Sequence, residues 1–421
     1  MLPIRDDIPR STSRSLGRRT LRFVGWGGAV LGLLAGTSAL VEHFSGARHL
    51  RRARASFARE VLPLVRVESC RYGRTDPRNG ASWYLAAAKA LPRPAPERPE
   101  LGRIVQHPPG TWSAADIRRV TSFLAAQQQA LTWAHAGALR PVCDLLPESA
   151  FSDPDITSLF RLANLLLAEA GLELRSGNQV RAASAVDTLE ALGLGLQQGS
   201  FPLPQVYGTA VMGNYLRALD WLVESDAVSV ATLEALRARL PRESAHEILT
   251  RALAGEGSLV WPWPHERDRG IWGFCCADQF KASLLDGYRA VLSWTSLTHR
   301  EARRAAANLE HEDADVAHSL DMMGPSDPLG MIGKCQAVEA SRQLAAISLD
   351  LRIGAAASGD FPGRLPAAQA SLVDPLTGAH PVYSRAARGA QVSNPAAAAE
   401  YRSVSYGNAP PFAWKLPAPA G

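Results

Sequence analysis

The residues best suited to chemistry lie between positions 258 and 280, in the segment SLVWPWPHERDRGIWGFCCADQF. Three of the ten tryptophans of the chain fall within twelve residues here, beside several ionisable side chains. The candidate ligand-binding residues are Trp261, Trp263, His265, Glu266 and Trp272. Tryptophan faces next to polar groups suit sugars, glycans or a peptide, and His265 and Glu266 can act as acid–base groups. The segment is therefore a candidate binding loop; the alternative is that its rings seal the core beneath an irregular segment.

The run HEDADVAH supplies a second set of polar side chains. On one continuous helix, His311, Asp315 and His318 would share a face, where imidazole and carboxylate groups can converge on a divalent metal. The alternative is an ordinary solvated helix face. Because spacing defines no further ligand, we predict no metal and no cofactor, and keep these three residues as the candidates to test.

Known catalytic motifs are absent from the sequence, which contains no G-x-S-x-G, no P-loop, no H-E-x-x-H and no G-x-G-x-x-G after a strand. The charge distribution excludes a further class. The formal net charge is +5, but residues 1–60 alone carry 11 arginines against 4 acidic residues, so the rest of the chain is close to neutral. A near-neutral body argues against a nucleic-acid partner.

The arginine-rich end surrounds 19 uncharged residues, FVGWGGAVLGLLAGTSALV, at positions 23–41. Such a stretch is long enough to cross the roughly 30 Å hydrocarbon core of a bilayer as a helix. We therefore expect a short tail over residues 1–22 and a transmembrane helix over residues 23–41 that contacts the lipid bilayer; a cleaved signal peptide is the alternative. Since long domains translocate largely regardless of charge, we expect a single-pass protein of the cytoplasmic membrane. Its N-terminus would lie inside and its body in the periplasm or extracytoplasmic space.

Gly28, Gly32 and Gly36 recur at every fourth residue of this stretch, on one face of the expected helix. Small residues at that spacing let two helix backbones approach closely, whereas glycine is also simply common in membrane helices. These glycines are therefore candidates for helix association, and self-association is expected alongside protein partners.

The region 42–333 has the periodicity of packed helices. Apolar residues recur at helical spacing over four stretches, namely 45–67, 79–91, 113–138 and 156–256. The part LLAEAGLELRSGNQVRAASAVDTLEAL resembles a tetratricopeptide hairpin, with Gly177 in its turn. Turn residues between the periodic stretches predict antiparallel hairpins, so we expect a mainly α body of TPR-like or α-solenoid type that carries an aromatic loop at 258–280.

The C-terminal region 334–421 has a different pattern. An apolar helical stripe from Ala337 to Leu351 ends at Gly354. Two short strands, Val382 to Arg385 and Arg402 to Tyr406, are expected to pair. We therefore expect a small α+β module with a short antiparallel strand pair.

The order and spacing of these stretches are similar to those of a family of uncharacterised bacterial single-pass membrane-anchored helical proteins. The similarity is carried by residues 139–149, 162–198 and 233–256 and by the C-terminal region. It implies an arrangement of anchor, helical body and C-terminal module, and the family has no activity to transfer.

The C-terminal module itself resembles the soluble part of type II secretion pseudopilins. The matching residues are Gly359, Phe361, Pro362, Leu365, Asp374, Pro375, Gly378 and Tyr383. The chain departs from that family because its apolar segment lacks the pilin processing site and its glutamate, and because no calcium-binding acidic cluster follows Gly407. The resemblance therefore implies a related module without assembly into a pilus, and a stabilising β-cap for the helical body is the simpler interpretation.

Together these features predict a membrane-anchored extracytoplasmic helical scaffold or interaction protein whose ligand the sequence does not name. The alternative is an envelope-polymer hydrolase or a ligand-binding protein that uses the aromatic loop 258–280. The absence of catalytic motifs favours a role without catalysis, and the question of an enzyme stays open at this point.

Overall fold

The structure is a computed structural model, and it describes residues 44–64, 76–92, 98–143, 145, 153–198, 202–260, 271–321, 327–386, 389–404 and 409–418. The chain is mainly helical within these ranges and has one small antiparallel sheet. The first helices are α1 (residues 44–60), α2 (Ala81–Ala90), α3 (Arg98–Ile104), α4 (Ala114–Ala126), α5 (Gln128–Ala138), α6 (Asp153–Arg175), α7 (Gln179–Gln197) and α8 (Pro202–Glu224). The later helices are α9 (Val230–Arg239), α10 (Ala245–Val260), α11 (Ile271–Trp294), α12 (His299–Glu312), α13 (Ala314–Asp321), α14 (Pro328–Ser358), α15 (Ala367–Ala370) and α16 (Pro395–Val404).

Of the helical hairpins expected over residues 156–256, those formed by α6, α7 and α8 are present, whereas α9 packs mainly on α14. Helix α6 turns into α7 through Gly177, whose φ of +80° is the left-handed conformation that glycine adopts without strain. The Asn178 N–H donates to the Glu173 carbonyl at 2.8 Å, which closes the end of α6. The Asn178 side chain then accepts from the Arg181 N–H and caps α7. The apolar stripes of α6, α7 and α8 meet in one large core.

Helix α14 makes the packing different from a simple stack of hairpins. It has 31 residues, and its first half packs around Ile332 and Cys335 with α10 and α12. Its second half enters the large core through Leu344 and Leu349, next to α8 and α9. In a solenoid each unit contacts only its sequence neighbours. Because a helix remote in sequence packs on α8, the repeat-like part is confined to the α6–α8 region, and the expected boundary at 333/334 falls inside α14.

The C-terminal sheet has three strands where we expected a pair. Strand β1 (Val382–Ala386) pairs antiparallel with β2 (Gly389–Ser393), and β2 pairs antiparallel with β3 (Ala413–Pro417). The strand predicted from Arg402 to Tyr406 is wrong, because residues 402–404 form the end of α16. That helix begins with an alanine-rich run, which favours helix, and Asn394 accepts the Ala397 N–H at 3.0 Å at its start.

The expected transmembrane helix has to be corrected. No helix within the described ranges is long and apolar enough to cross a bilayer. The longest, α14, is interrupted by charged residues, namely Lys334, Glu339, Arg342, Asp350 and Arg352. The segments 1–22 and 23–41, with Gly28, Gly32 and Gly36, lie outside the described residues. The expected single-pass arrangement, bilayer contact and location in the cytoplasmic membrane therefore do not follow from this structure.

Candidate functional site

The aromatic loop expected at 258–280 has to be corrected at its two ends. Helix α10 continues to Val260 and α11 starts at Ile271, so both ends of the expected loop 258–280 are helical. The candidates Trp261, Trp263, His265 and Glu266 lie outside the described residues. Trp272 lies in the first turn of α11, and its side chain is not among those described. The arrangement of these candidates therefore lies outside the described part of the chain, and the binding-loop hypothesis stays a prediction.

The candidate metal residues fall on two helices. His311 lies at the end of α12 and Asp315 at the start of α13, with the helices separated at Asp313. His318 also lies on α13, and its side chain is not described. The continuous helix on which the shared face depended is therefore broken. Among the described side chains, no group of three or more His, Cys, Asp or Glu residues is placed to hold a metal ion.

An unpredicted cluster of ionisable side chains lies between α7, α8 and α9. Asp187 and Glu190 are one turn apart on α7, and Arg239 Nη1 donates to Asp187 Oδ2 at 2.5 Å. Burial, together with the nearby Asp187 carboxylate, raises the pKa of Glu190 to about 7 against the opposing effect of Arg239. Among the described residues, the buried Tyr215 hydroxyl on α8 finds no hydrogen-bond partner, and burial raises its pKa well above the ordinary value. A carboxyl group that titrates near neutrality is typical of acid–base sites.

The space next to this cluster is small. One turn away on α7 and α8, a pocket of about 20 Å³ is lined by Leu194, Met212 and Arg342, among others, and by no member of the cluster. That volume fits one water molecule, whereas ligand pockets usually measure roughly 300–1,000 Å³. Arg342 is engaged as well, because its Nη1 donates to the Glu243 carbonyl. Among the described residues, the pocket beside the cluster is therefore too small for a substrate, and the raised pKa of Glu190 makes the stability of the chain depend on its ionisation.

A second arrangement looks like a catalytic triad and is also closed. His135 Nδ1 lies 2.8 Å from Thr188 Oγ1, and His135 Nε2 lies 2.9 Å from Glu169 Oε2. A hydroxyl, an imidazole and a carboxylate in this order have the composition of a nucleophile, a base and an orienting acid. However, Thr188 is only 1% exposed, and its hydroxyl donates to the Ser184 carbonyl. The three side chains therefore join α5, α6 and α7 and present no nucleophile to a substrate.

An open groove lies where the end of α14 meets the loop that follows it. Its volume is about 450 Å³, within the usual range of ligand pockets. Its apolar lining comprises the exposed Pro362 and Pro366 over the buried core residues Leu351, Ala355 and Phe361. Both acidic residues of the lining are already paired: Asp350 accepts from Arg237 and Gln369, and Asp360 pairs with Arg385. Apolar walls without uncompensated charge suit apolar side chains better than an ionic ligand.

Residues of the predicted C-terminal motif hold this groove in shape. Gly359 ends α14 with a φ of +78°, which turns the chain into the groove loop. The Tyr383 hydroxyl then donates to the Pro362 carbonyl at 2.6 Å. Arg385 Nη1 donates to the Phe361 carbonyl at 2.9 Å. The loop is therefore tied to β1 at two successive residues, and the resemblance that singled out these residues stays a prediction.

Several groove residues had no signal in the sequence. Asp350 and Gln369 belong to different helices, and Arg237 comes from α9, so only the tertiary packing brings the three side chains together.

Comparison of the chain with protein-family models, curated proteins and solved structures returns no match.

Proposed function

We propose that this chain is a helical interaction protein that binds an apolar segment of a partner polypeptide in the groove at the end of α14. The observation that carries the proposal is the groove itself, which has a volume of about 450 Å³, is open, and has apolar walls. Its two carboxylates are compensated by Arg237 and Arg385, so a partner needs no matching cation.

The rest of the described chain supports a binding role over a catalytic one. Glu190 lies in the interior, and Thr188 is inaccessible, so neither can meet a substrate in this conformation. The groove loop, in contrast, is accessible and is already fixed by Tyr383 and Arg385. A preformed surface loses little conformational freedom when it binds, which favours affinity.

Gly354 provides a direct test of the groove. It lies on α14 in the groove lining, and an added Cβ would meet no atom within 4 Å. We expect Gly354→Trp to fold normally, to fill the groove, and to weaken binding of a partner by at least about tenfold, a loss of roughly 1.4 kcal/mol. The measurement is photo-cross-linking of the full chain in its native extract, followed by titration of the purified partner against the native chain and the variant.

Gly102→Trp is the matched control. Gly102 lies on α3, where an added Cβ also has no neighbour within 4 Å, and it does not line the groove. We expect this variant to bind the partner like the native chain. Equal affinity of the native chain and Gly354→Trp for every cross-linked protein would reject the groove as the binding site.

The same position gives a prediction for stability. Glycine inside a helix costs about 0.5–1 kcal/mol relative to alanine, and the Gly354 backbone is helical with free space around it. Gly354→Ala should therefore raise the free energy of unfolding by about that amount, as measured by urea denaturation. A decrease would mean that the end of α14 does not have the helical geometry described above.

A further inference from the structure

Strand β1 forms one of the two edges of the C-terminal sheet, because β2 lies between β1 and β3. Two residues connect β1 to β2, so Ala386 and Gly389 are the hydrogen-bonded pair that closes this hairpin. Hydrogen-bonded and non-hydrogen-bonded pairs alternate along an antiparallel ladder. The backbone groups of Ser384 therefore point towards β2, and those of Tyr383 and Arg385 point away from the sheet.

These outward N–H and C=O groups of Tyr383 and Arg385, here named the β1 edge, are free within the described part of the chain. No described residue forms a hydrogen bond with them. The strand is also accessible, since Ser384, Arg385 and Ala386 are exposed and Val382 is 51% exposed. An accessible strand with unpaired backbone groups can pair with a strand of another chain.

The two edges of the sheet differ in their protection against such pairing. The outer side of β3 has the exposed Lys415 and also Pro417, which has no N–H to donate, and both residue types hinder the addition of a strand. The only charged residue of β1 is Arg385, and its guanidinium is held by Asp360 and by the Phe361 carbonyl. The β1 edge therefore lacks the features that protect the β3 edge.

Exposed apolar side chains lie beside the same strand. His380 Nδ1 donates to the Leu372 carbonyl at 2.9 Å, which places Leu372 next to the start of β1. Leu372, Val373 and Val382 are all exposed. Grouped apolar side chains on a surface are typical of protein contacts, so their position at an unpaired strand favours an interface.

We propose that a second copy of this chain binds the β1 edge, and that the two β1 strands pair antiparallel about a two-fold axis at Ser384. The sequence of β1 selects this register. When the pairing is centred on Ser384, Tyr383 of each copy exchanges both backbone hydrogen bonds with Arg385 of the other. Centring on Arg385 would place two arginines directly opposite each other, which is unfavourable. Centring on Tyr383 would place Arg385 opposite Pro381, which has no N–H.

The side chains of β1 are complementary to themselves in this register. On the exposed face, Ser384 meets Ser384 of the second copy, and Val382 meets Ala386, so every pair combines small or β-branched side chains. On the other face, the Tyr383 ring lies opposite the Arg385 guanidinium, which is a favourable pair. Asp360 compensates the charge of each Arg385, so the two arginines repel each other little. The two sheets then form one continuous sheet.

The proposed contact is small, because only β1 and the flanking Leu372 and Val373 take part. Interfaces of small area are typical of weak and transient complexes, so we expect dimers at micromolar rather than nanomolar concentrations. This contact goes beyond the function proposed for the groove, since no residue of β1 lines the groove. Its test therefore does not depend on whether the groove binds a partner.

Charge changes at Ser384 test the proposal, because this residue meets itself in the dimer and its side chain is exposed in the single copy. Sedimentation velocity of the full chain over about 1–300 µM gives the dissociation constants. We expect Ser384→Lys and Ser384→Glu each to weaken dimerisation by about tenfold or more, since like charges then lie directly opposite. An equimolar mixture of the two variants should recover the native affinity to within about threefold, because lysine then lies opposite glutamate.

Ala413→Lys is the matched control. Ala413 is exposed on the same face of the sheet, but it belongs to β3 and does not pair with β1. This variant should dimerise like the native chain. A native chain that stays monomeric up to about 300 µM would overturn the proposal. A mixture of Ser384→Lys and Ser384→Glu that associates no more tightly than either variant alone would also overturn it, because Ser384 would then not face itself.

Discussion

Asp374→Ala is expected to lower the free energy of unfolding by about 3–5 kcal/mol. Asp374 is 3% exposed, and its carboxylate oxygens accept from donors on two separate segments of the module. Oδ1 accepts from the backbone N–H groups of Leu376 and Thr377 at 2.8 and 3.0 Å. Oδ2 accepts from Asn394 Nδ2 at 2.9 Å, from the Ala379 N–H and from the Thr377 hydroxyl. Alanine leaves these donors in the interior without a partner, and each costs about 1 kcal/mol or more.

Urea denaturation of the native chain, Asp374→Asn and Asp374→Ala measures this effect. Asparagine keeps one acceptor oxygen and places an amide where the second oxygen was, so the expected order of stability is native, Asp374→Asn, Asp374→Ala. Asp315→Ala, at an exposed position in the first turn of α13, is the control and should stay within about 0.5 kcal/mol of the native value. If Asp374→Ala lowered the free energy of unfolding no more than this control, the structure of residues 374–379 would not depend on the Asp374 carboxylate.

Local signals explain why the helical body was predictable from the sequence. Apolar stripes at helical spacing face a single core, so burial and periodicity agree along α6, α7 and α8. The ends of helices carry equally local signals. Ser113 and Asp116 form a capping box at the start of α4, and Gly177 supplies the left-handed turn between α6 and α7. Features determined within a few residues of the chain are therefore the ones that the sequence predicts correctly.

Two errors occur where packing between distant segments decides the structure. The strand expected at 402–406 is a third error with a local cause, because the alanine-rich run before it and the Asn394 cap favour helix α16. The third strand, Ala413–Pro417, forms because Trp414 and Leu416 face the large core beside β2. A solenoid was expected from neighbouring hairpins, but α14 returns to pack on α8. None of these contacts can be inferred from local periodicity.

The candidate site was equally difficult to predict. The composition of the segment 258–280 predicted a binding loop, but its residues Ile271 to Phe280 are part of helix α11. The groove, in contrast, is built from ordinary residues whose compensation depends on distant partners. Asp350 is neutralised by Arg237 across α14 and α9, a pair separated by 113 positions. The groove therefore follows from the geometry of the packed chain, whereas the role of the aromatic residues at 261–272 stays a prediction.

Glu190→Gln should change stability in a strongly pH-dependent manner. The pKa of Glu190 is raised from 4.5 to about 7 in the folded chain, first by burial and then by Asp187. Between these values the folded chain holds a proton that the unfolded chain has released. The native protein therefore loses stability as the pH rises from about 4.5 to about 7, and the loss is constant above that. Glutamine is neutral at every pH, so the variant escapes this loss.

The variant should match the native free energy of unfolding near pH 4 and exceed it by up to about 3 kcal/mol near pH 8, since one pKa unit corresponds to about 1.4 kcal/mol. Urea denaturation across this pH range gives the difference directly. Glu234→Gln, the same replacement on the exposed face of α9, is the matched control, and the Glu190→Gln difference is read against it. Because Asp187 contributes to the raised pKa, Asp187→Asn should reduce the pH dependence at Glu190, although it also removes the ion pair with Arg239. A pH-independent difference for Glu190→Gln would mean that the carboxylate is already stabilised as a charge, and that the cluster between α7, α8 and α9 is open to water.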